Sequence, residues 1–229
     1  YHDLIYKHDI VLSPSEAAAF STQGGWGGSG MHWFSSERAA MLPIARWYIV
    51  IARNYPDILP KLGAVLFPHL PGMPSSSMTN TRAAGINVKS PNREGALKFL
   101  QYLASPEYCS LIIKAGDSLP PNPEFAGTGK DLINSIVNDP SFHQVFIDAI
   151  KTARPLDTSP FIDAAICTRW IGEAITKVEN QLVTPEQAMK ELTKEINQKI
   201  RTNLERNSFL QKKFEEVTGR PYRKDWALK

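Results

Sequence analysis

Phe34-Ser35-Ser36-Glu37-Arg38-Ala39-Ala40-Met41-Leu42-Pro43-Ile44-Ala45-Arg46-Trp47 joins a polar turn to a short apolar run and then, beyond a proline, to an arginine beside a tryptophan. The apolar residues from Ala39 to Met41 predict a short buried strand, which Pro43 interrupts because proline cannot donate to a ladder. Past the proline, Ile44, Trp47, Tyr48 and Ile51 recur at helical spacing, so a helix is expected over 44–55, ending before Pro56. An arginine next to a tryptophan at such a junction offers a fork of donors and a flat apolar face together.

Upstream, Ser13-Pro14-Ser15-Glu16 supplies a cap, a proline and an early acid ahead of Ala17 to Phe20, a helix start. Gly24-Gly25-Trp26-Gly27-Gly28-Ser29-Gly30 follows. It reads either as a flexible loop or as backbone that can approach a ligand covered by Trp26. It lacks the lysine and the strand–helix setting of a phosphate-binding loop. Gly27-Gly28-Ser29-Gly30-Met31 is not a nucleophile elbow either, since the final glycine is missing.

Downstream, Gly63-Ala64-Val65-Leu66-Phe67-Pro68 and Arg82-Ala83-Ala84-Gly85-Ile86-Asn87-Val88 are strand candidates on either side of a loop rich in proline and serine. Asn92 to Ala104 puts Ala96, Phe99, Leu100 and Leu103 on one helical face. Ser105-Pro106-Glu107 restarts a helix that Gly116 should close. Asp117 to Pro123 is a stiff loop, its path fixed by Pro120, Pro121 and Pro123.

From Asp131 the chain is expected to be mostly helical. Ile133, Ile136 and Val137 make one stripe, and Phe142, Phe146 and Ile150 another. A long helix over 162–182 carries Ile166, Trp170, Ala174, Ile175 and Val178. Thr184-Pro185-Glu186-Gln187 then opens a last helix with the makings of a capping box, and Leu192, Ile196, Ile200 and Leu204 step by fours. No internal repeat and no sustained heptad is present.

At 229 residues the chain can bury one large core or two small ones. A net charge of +3, from 26 basic and 23 acidic side chains, is too balanced to favour nucleic acid. The exception is the C-terminus, where Arg220, Arg223, Lys224 and Lys229 surround Tyr222 and Trp226 as a solvated basic tail. Cys109 and Cys167 read as buried thiols, with one disulfide between two helices left open. No run approaches the roughly 18 apolar residues of a membrane span. The chain opens on Tyr1-His2-Asp3 without an initiator Met or a signal peptide, so it reads as a mature product or an excised piece.

His2, His8, His32, His69 and His143 are scattered, and none pairs at i, i+4 with another ligand, so neither a metal site nor a cofactor is expected. No catalytic pair stands out. The candidate ligand-binding set is Trp26, Arg46, Trp47, Arg82, Asp117, Arg169 and Trp170, all placed at element ends or on the long late helix. An aromatic face covers the C–H face of a sugar while charged groups bond its hydroxyls, which suits a polar ligand desolvated in a cleft. Trp170 serves equally as a core residue, and Arg82 as a surface charge.

Taken in order, these motifs resemble the C-terminal half of an extracellular solute-binding protein of sugar-uptake ABC transporters, the group that includes maltose-binding protein. The resemblance runs from about Phe20 to about Ile200. Phe34 followed by Arg38-Ala39-Ala40-Met41 resembles the family's phenylalanine, basic turn and Ala-Met strand. Arg46-Trp47 matches the position where an aromatic stacks on the sugar, and Gly63 to Pro68 the strand that follows. Ala84-Gly85-Ile86-Asn87, with Ser90 and Asn92, is similar to the return strand and next helix start. Phe99-Leu100-Gln101-Tyr102-Leu103-Ala104-Ser105-Pro106-Glu107-Tyr108 is the most specific match, and Thr184-Pro185-Glu186-Gln187-Ala188 resembles the start of the last helix. Glu37 departs from the pattern, standing where the family has glycine.

The resemblance implies a helix-rich α/β fold of the type II periplasmic-binding-protein kind, with the N-terminal half absent. Residues 1–82 would belong to the second lobe, 83–122 would return to the first, and 123–229 would be a second-lobe helical segment with the basic tail. The face of Phe99, Leu100 and Leu103 would then lack its partner, at about 1.5–3 kcal/mol per large side chain left in water. A missing N-terminal lobe or a second chain should cover it. The implied function is non-catalytic: a carbohydrate or oligosaccharide held between lobes that close on a hinge, then delivered to an ABC-type permease. The implied place is periplasmic or extracellular, with a membrane-anchored lipoprotein as one full-length form. An enzyme acting on a polar small molecule in the same cleft, or a helical protein–protein module, are the alternatives.

Overall fold

The computed structural model describes residues 1–20, 28–80 and 83–223. Among them the helices are α1 (His2–Tyr6), α2 (Pro14–Phe20), α3 (Gly28–Ser35), α4 (Tyr48–Ala52), α5 (Arg93–Leu103), α6 (Pro106–Ala115), α7 (Pro140–Thr152), α8 (Ala164–Glu179), α9 (Pro185–Arg206) and α10 (Ser208–Thr218). Short 3-10 turns cover Leu59–Lys61, Pro123–Phe125 and Gly129–Leu132. The chain divides into two compact units, one of residues 1–22 with 157–229 and one of residues 23–156. The expected segment boundaries at 82/83 and 122/123 both fall inside the second of these.

The helix-rich half of the expected fold class is present, and four of its helix ends are ones the sequence announces. Asn92 Oδ1 accepts from Gly95 N at 3.0 Å to start α5. Ser105 Oγ accepts from Tyr108 N at 3.2 Å, with Pro106 next, to start α6. Gly116 ends α6 in the left-handed region at φ 68°, where a side chain would be strained. Thr184 Oγ1 accepts from Gln187 N at 3.2 Å at the head of α9. The capping box expected there does not close, because the Gln187 amide donates to Glu191 Oε1 at 3.0 Å instead.

The strands are not found, which corrects the α/β reading for the described residues. Their nearest approach to a sheet is an isolated parallel bridge between Met78 and Arg154. Residues 39–41, 63–68 and 83–88 lie outside any helix or strand. A strand exists only through a ladder partner, and no such partner stands beside these segments among the described residues. The side chains tell the same story. Met41 is 83% exposed and Val65 84%, so Ala39 to Met41 is not a buried strand.

Two further expectations shorten. The helix predicted over 44–55 is confined to Tyr48–Ala52, with Tyr48 N donating to Ala45 O at 3.1 Å in the turn before it. Residues 133–137 are a turn rather than a helical stripe, because Asn134 Oδ1 accepts from Ile136 N at 2.9 Å and from Val137 N at 3.0 Å. An asparagine bonding its own backbone two and three residues on competes with the helix.

In the unit of residues 23–156, α4 is buried on two sides. Tyr48 and Ala52 join Met31, with Phe34, Leu42, Ile44, Trp47, Ile51, Leu59 and Leu62 packed around them. Ile49 joins Val137 and Phe142, with Ala64, Ile136 and Phe146 around those. Five residues of helix cannot hold themselves in water, so this packing is what stabilises α4. The Tyr48 hydroxyl meets Ser35 Oγ at 2.7 Å, which satisfies both buried groups.

In the unit of residues 1–22 and 157–229, α8 packs on α9 and α9 on α10. Ala174, Val178, Ala188 and Leu204 form buried points along them. Asp163 caps α8, accepting from Ala165 N at 2.8 Å, which starts the helix two residues later than the apolar pattern does. Asn203 Nδ2 donates to Phe161 O at 2.9 Å, and the Phe161 ring lies 5.7 Å from that of Phe214. The Tyr6 hydroxyl donates to Glu179 O. Cys109 is buried, Cys167 half-buried, and both are free thiols.

Candidate functional site

Arg46 sits in the turn that leads into α4, and it is 2% exposed. Its Nη1 donates to Asp117 O at 2.7 Å and to Ser118 O at 3.0 Å. Nη2 donates to Leu132 O at 3.1 Å, and Nε to His143 Nδ1 at 3.4 Å. One side chain thus ties the loop after α6, the 3-10 turn at Gly129–Leu132 and α7 to the start of α4. Burial pushes the guanidinium down to about 10, while the nearby Asp117 carboxylate acts in the opposite direction. The group stays a cation at neutral pH, held by carbonyl dipoles.

His143 completes the arrangement. Its side chain is 0% exposed, on the buried face of α7 with Phe142 and Ile147. Arginine has no acceptor, so Nδ1 must be the unprotonated nitrogen and Nε2 carries the hydrogen. Nε2 then donates to Val137 O at 3.1 Å. Burial is the largest influence and lowers the ring's proton affinity; the Val137 bond opposes it, and smaller effects of the Arg46 charge and of Asp139 lower and raise it in turn.

Trp47 follows Arg46 directly, occupying the N-cap of α4. It is half-buried against the cluster of Met31, Tyr48 and Ala52. Asp117 is half-buried, and its carbonyl is the acceptor of the shortest Arg46 bond. Of the seven sequence-predicted residues, Arg46, Trp47 and Asp117 are therefore brought together in one unit. Arg169 and Trp170 lie on α8 in the other. Arg169 is exposed, with Nε 3.7 Å from Glu173 Oε1 one turn on, and Trp170 is half-buried. Trp26 and Arg82 fall outside the described residues.

The guanidinium does something different from what a sugar-binding arginine would do. Four of its donor bonds go to acceptors of the protein itself, so Arg46 fixes the backbone around Trp47 and Asp117. Sequence reasoning missed His143, which it placed among scattered histidines. The signal was available in its spacing: His143 shares the stripe of Ile147 on a helix whose other face is polar.

Two other features bear on binding. An open groove of about 470 Å³ is lined by Ile86, Val88, Arg93, Glu94 and Leu97; it shares no residue with the Arg46 cluster. No group of three His, Cys, Asp or Glu is placed to hold a metal ion among the described residues. No helix among them is long and apolar enough to cross a membrane.

No curated protein matches the chain. The family model of bacterial extracellular solute-binding proteins matches residues 22–108, a stretch that takes in the Arg46–Trp47 turn, α4 and α5 through to the first turn of α6.

Proposed function

We propose that this chain is part of an extracellular solute-binding protein that captures a carbohydrate or oligosaccharide and delivers it to an ABC-type permease. The family match over residues 22–108 carries the solute-binding reading. What favours a sugar is the Arg46 cluster: a buried guanidinium that holds a half-buried indole and a half-buried carboxylate on a fixed backbone. A flat apolar face and a charged group carried on one fixed backbone suit a ring with C–H faces and hydroxyls. In this reading Trp47 stacks on the sugar and Asp117 accepts from its hydroxyls. Trp26 and Arg82 supply further wall. Arg46 positions the first two rather than touching the ligand.

The type II architecture belongs to the same proposal. Residues 1–82 and 123–229 form most of one lobe, and 83–122 return to another that an N-terminal half or a second chain completes. Two observations support it: residues 39–41, 63–68 and 83–88 lie outside any helix or strand, and Phe99 is 60% exposed on α5. Binding is non-catalytic, the compartment is periplasmic or extracellular, and affinity comes from lobe closure.

Intrinsic tryptophan fluorescence tests this reading on protein expressed from the native frame together with whatever precedes Tyr1. A panel of mono- and oligosaccharides should include at least one that shifts emission and is recovered unchanged. Consumption of the sugar would point to the enzyme alternative. Silence toward every sugar but a response to amino acids or peptides would remove the carbohydrate claim and leave the solute-binding one.

A further inference from the structure

His143 has no exposed surface, and both ring nitrogens are in use. Nδ1 accepts from Arg46 Nε, and Nε2 donates to Val137 O. A neutral ring satisfies both bonds. A doubly protonated ring cannot, because Nδ1–H would then face Nε–H and two cations would share one buried site. The charged groups acting on the ring are Arg46, from the turn before α4, and Asp139, the cap of its own helix. Asp139 is exposed and already accepts from Ser141 N at 2.8 Å and from Ser141 Oγ at 2.7 Å, so it offers little compensation. Asp117, from the loop after α6, acts on Arg46.

We propose that Arg46 and His143 form a proton-sensitive latch, in which protonation of His143 releases Arg46 and frees residues 117–118 and 132–137 from the start of α4. The latch is a property of the unit of residues 23–156 and holds whatever the solute is. The burial that disfavours the charged ring supports it, since the closed form then holds the proton more weakly than the opened form. The sign follows from linkage. Closure is fully stable above the ordinary histidine value of about 6.5 and weakens as pH falls from there toward the lower folded value. With one proton taken up on opening, the opening constant rises by up to about tenfold per pH unit across that window.

Hydrogen exchange on the whole chain from pH 8 to pH 5, converted to protection factors so that intrinsic rates cancel, tests the latch. His143→Gln is the matched variant, because an amide supplies one donor and one acceptor and does not titrate. In the wild type, protection over 46–52, 117–119 and 132–137 should fall below pH 6.5 by up to about tenfold per unit. In H143Q it should stay level. Flat protection in the wild type, or the same fall in H143Q, would overturn the proposal. Should H143Q fail to fold, the NMR titration of the wild-type His143 ring decides alone. A midpoint below the free-histidine value upholds the latch, and one at or above it defeats it.

Discussion

Gly116, which ends α6 in the left-handed region, faces Ile49 of α4 so closely that a Cβ there would fall on the isoleucine's Cγ2. The contact joins the helix terminus to a fully buried side chain. Gly116→Ala therefore carries two penalties, about 1 kcal/mol for a left-handed non-glycine residue and about 1–3 kcal/mol for overpacking. Urea denaturation of the unit of residues 23–156 should show a loss of about 2–4 kcal/mol. Gly116→Ala combined with Ile49→Ala should be less damaging than the sum of the two single changes, because loss of the isoleucine's Cγ2 removes the clash. Strict additivity would mean that the two side chains do not meet.

The Arg46 cluster predicts an asymmetry between two substitutions. Arg46→Met leaves the buried Leu132 carbonyl, the half-buried Asp117 and Ser118 carbonyls and His143 Nδ1 without their donor, at about 1–3 kcal/mol for each group that water cannot reach. A loss of at least about 3 kcal/mol is expected, enough to consume much of a small domain's stability. Arg46→Lys keeps the charge but offers a single ammonium where the arginine spans four acceptors, so it should restore only a minority of that loss. Thermal and urea midpoints of both variants check this. A Lys variant as stable as wild type would show that the fork geometry is irrelevant.

Trp47 separates binding from stability. If its indole stacks on the solute, Trp47→Ala should weaken binding by at least about tenfold, roughly the 1.4 kcal/mol an aromatic face supplies. Trp47→Phe should recover part of that. Arg169→Ala, which removes an exposed pair one helical turn apart, should change the unfolding free energy by less than about 0.5 kcal/mol. Titration calorimetry with the responding sugar reads the two Trp47 variants, and urea denaturation reads the Arg169 variant. Unchanged affinity in Trp47→Ala would exclude the stacking role.

Glu37 is a non-glycine residue with φ 61°. Its carboxylate takes both hydrogen bonds of an ion pair from Lys61 Nζ, at 2.6 Å each. The left-handed backbone costs about 1 kcal/mol, and a surface ion pair returns about 0–1 kcal/mol. Glu37→Gly removes both, so it should fall between neutral and about 1 kcal/mol stabilising in a urea series. A loss larger than 1 kcal/mol would make the Lys61 pair the anchor of this turn.

The caps were legible because they are local. Asn92, Ser105 with Pro106, Gly116 and Thr184 each need only their neighbours in sequence to define a helix end, and each does so. Strands were not legible in the same way. Gly63 to Pro68 carries the right residue types, but a ladder is a relation to another segment, and composition cannot say whether that segment is present. Arg46 shows the same limit at the site. Its pairing with Trp47 is visible in the sequence, whereas its four acceptors come from residues 117, 118, 132 and 143, positions that only the fold brings together. His143 was within reach, since its helical stripe marks it as an inward-facing residue, and an inward histidine needs partners.

The exposed face of α5 supplies the last prediction, which turns on magnitude. Phe99 is 60% exposed, with Leu97 and Tyr102 exposed beside it. Truncating a side chain already in water removes little burial, so Phe99→Ala in the 229-residue chain should cost less than about 1 kcal/mol. Against a partner lobe the same substitution would empty a covered site, where Phe→Ala costs about 3–5 kcal/mol. Urea series on the 229-residue chain, and on a longer product of the native frame, should therefore give different losses for one substitution. Equal small losses in both would mean that α5 keeps its apolar face in water, and the two-lobe reading of residues 83–122 would then be wrong.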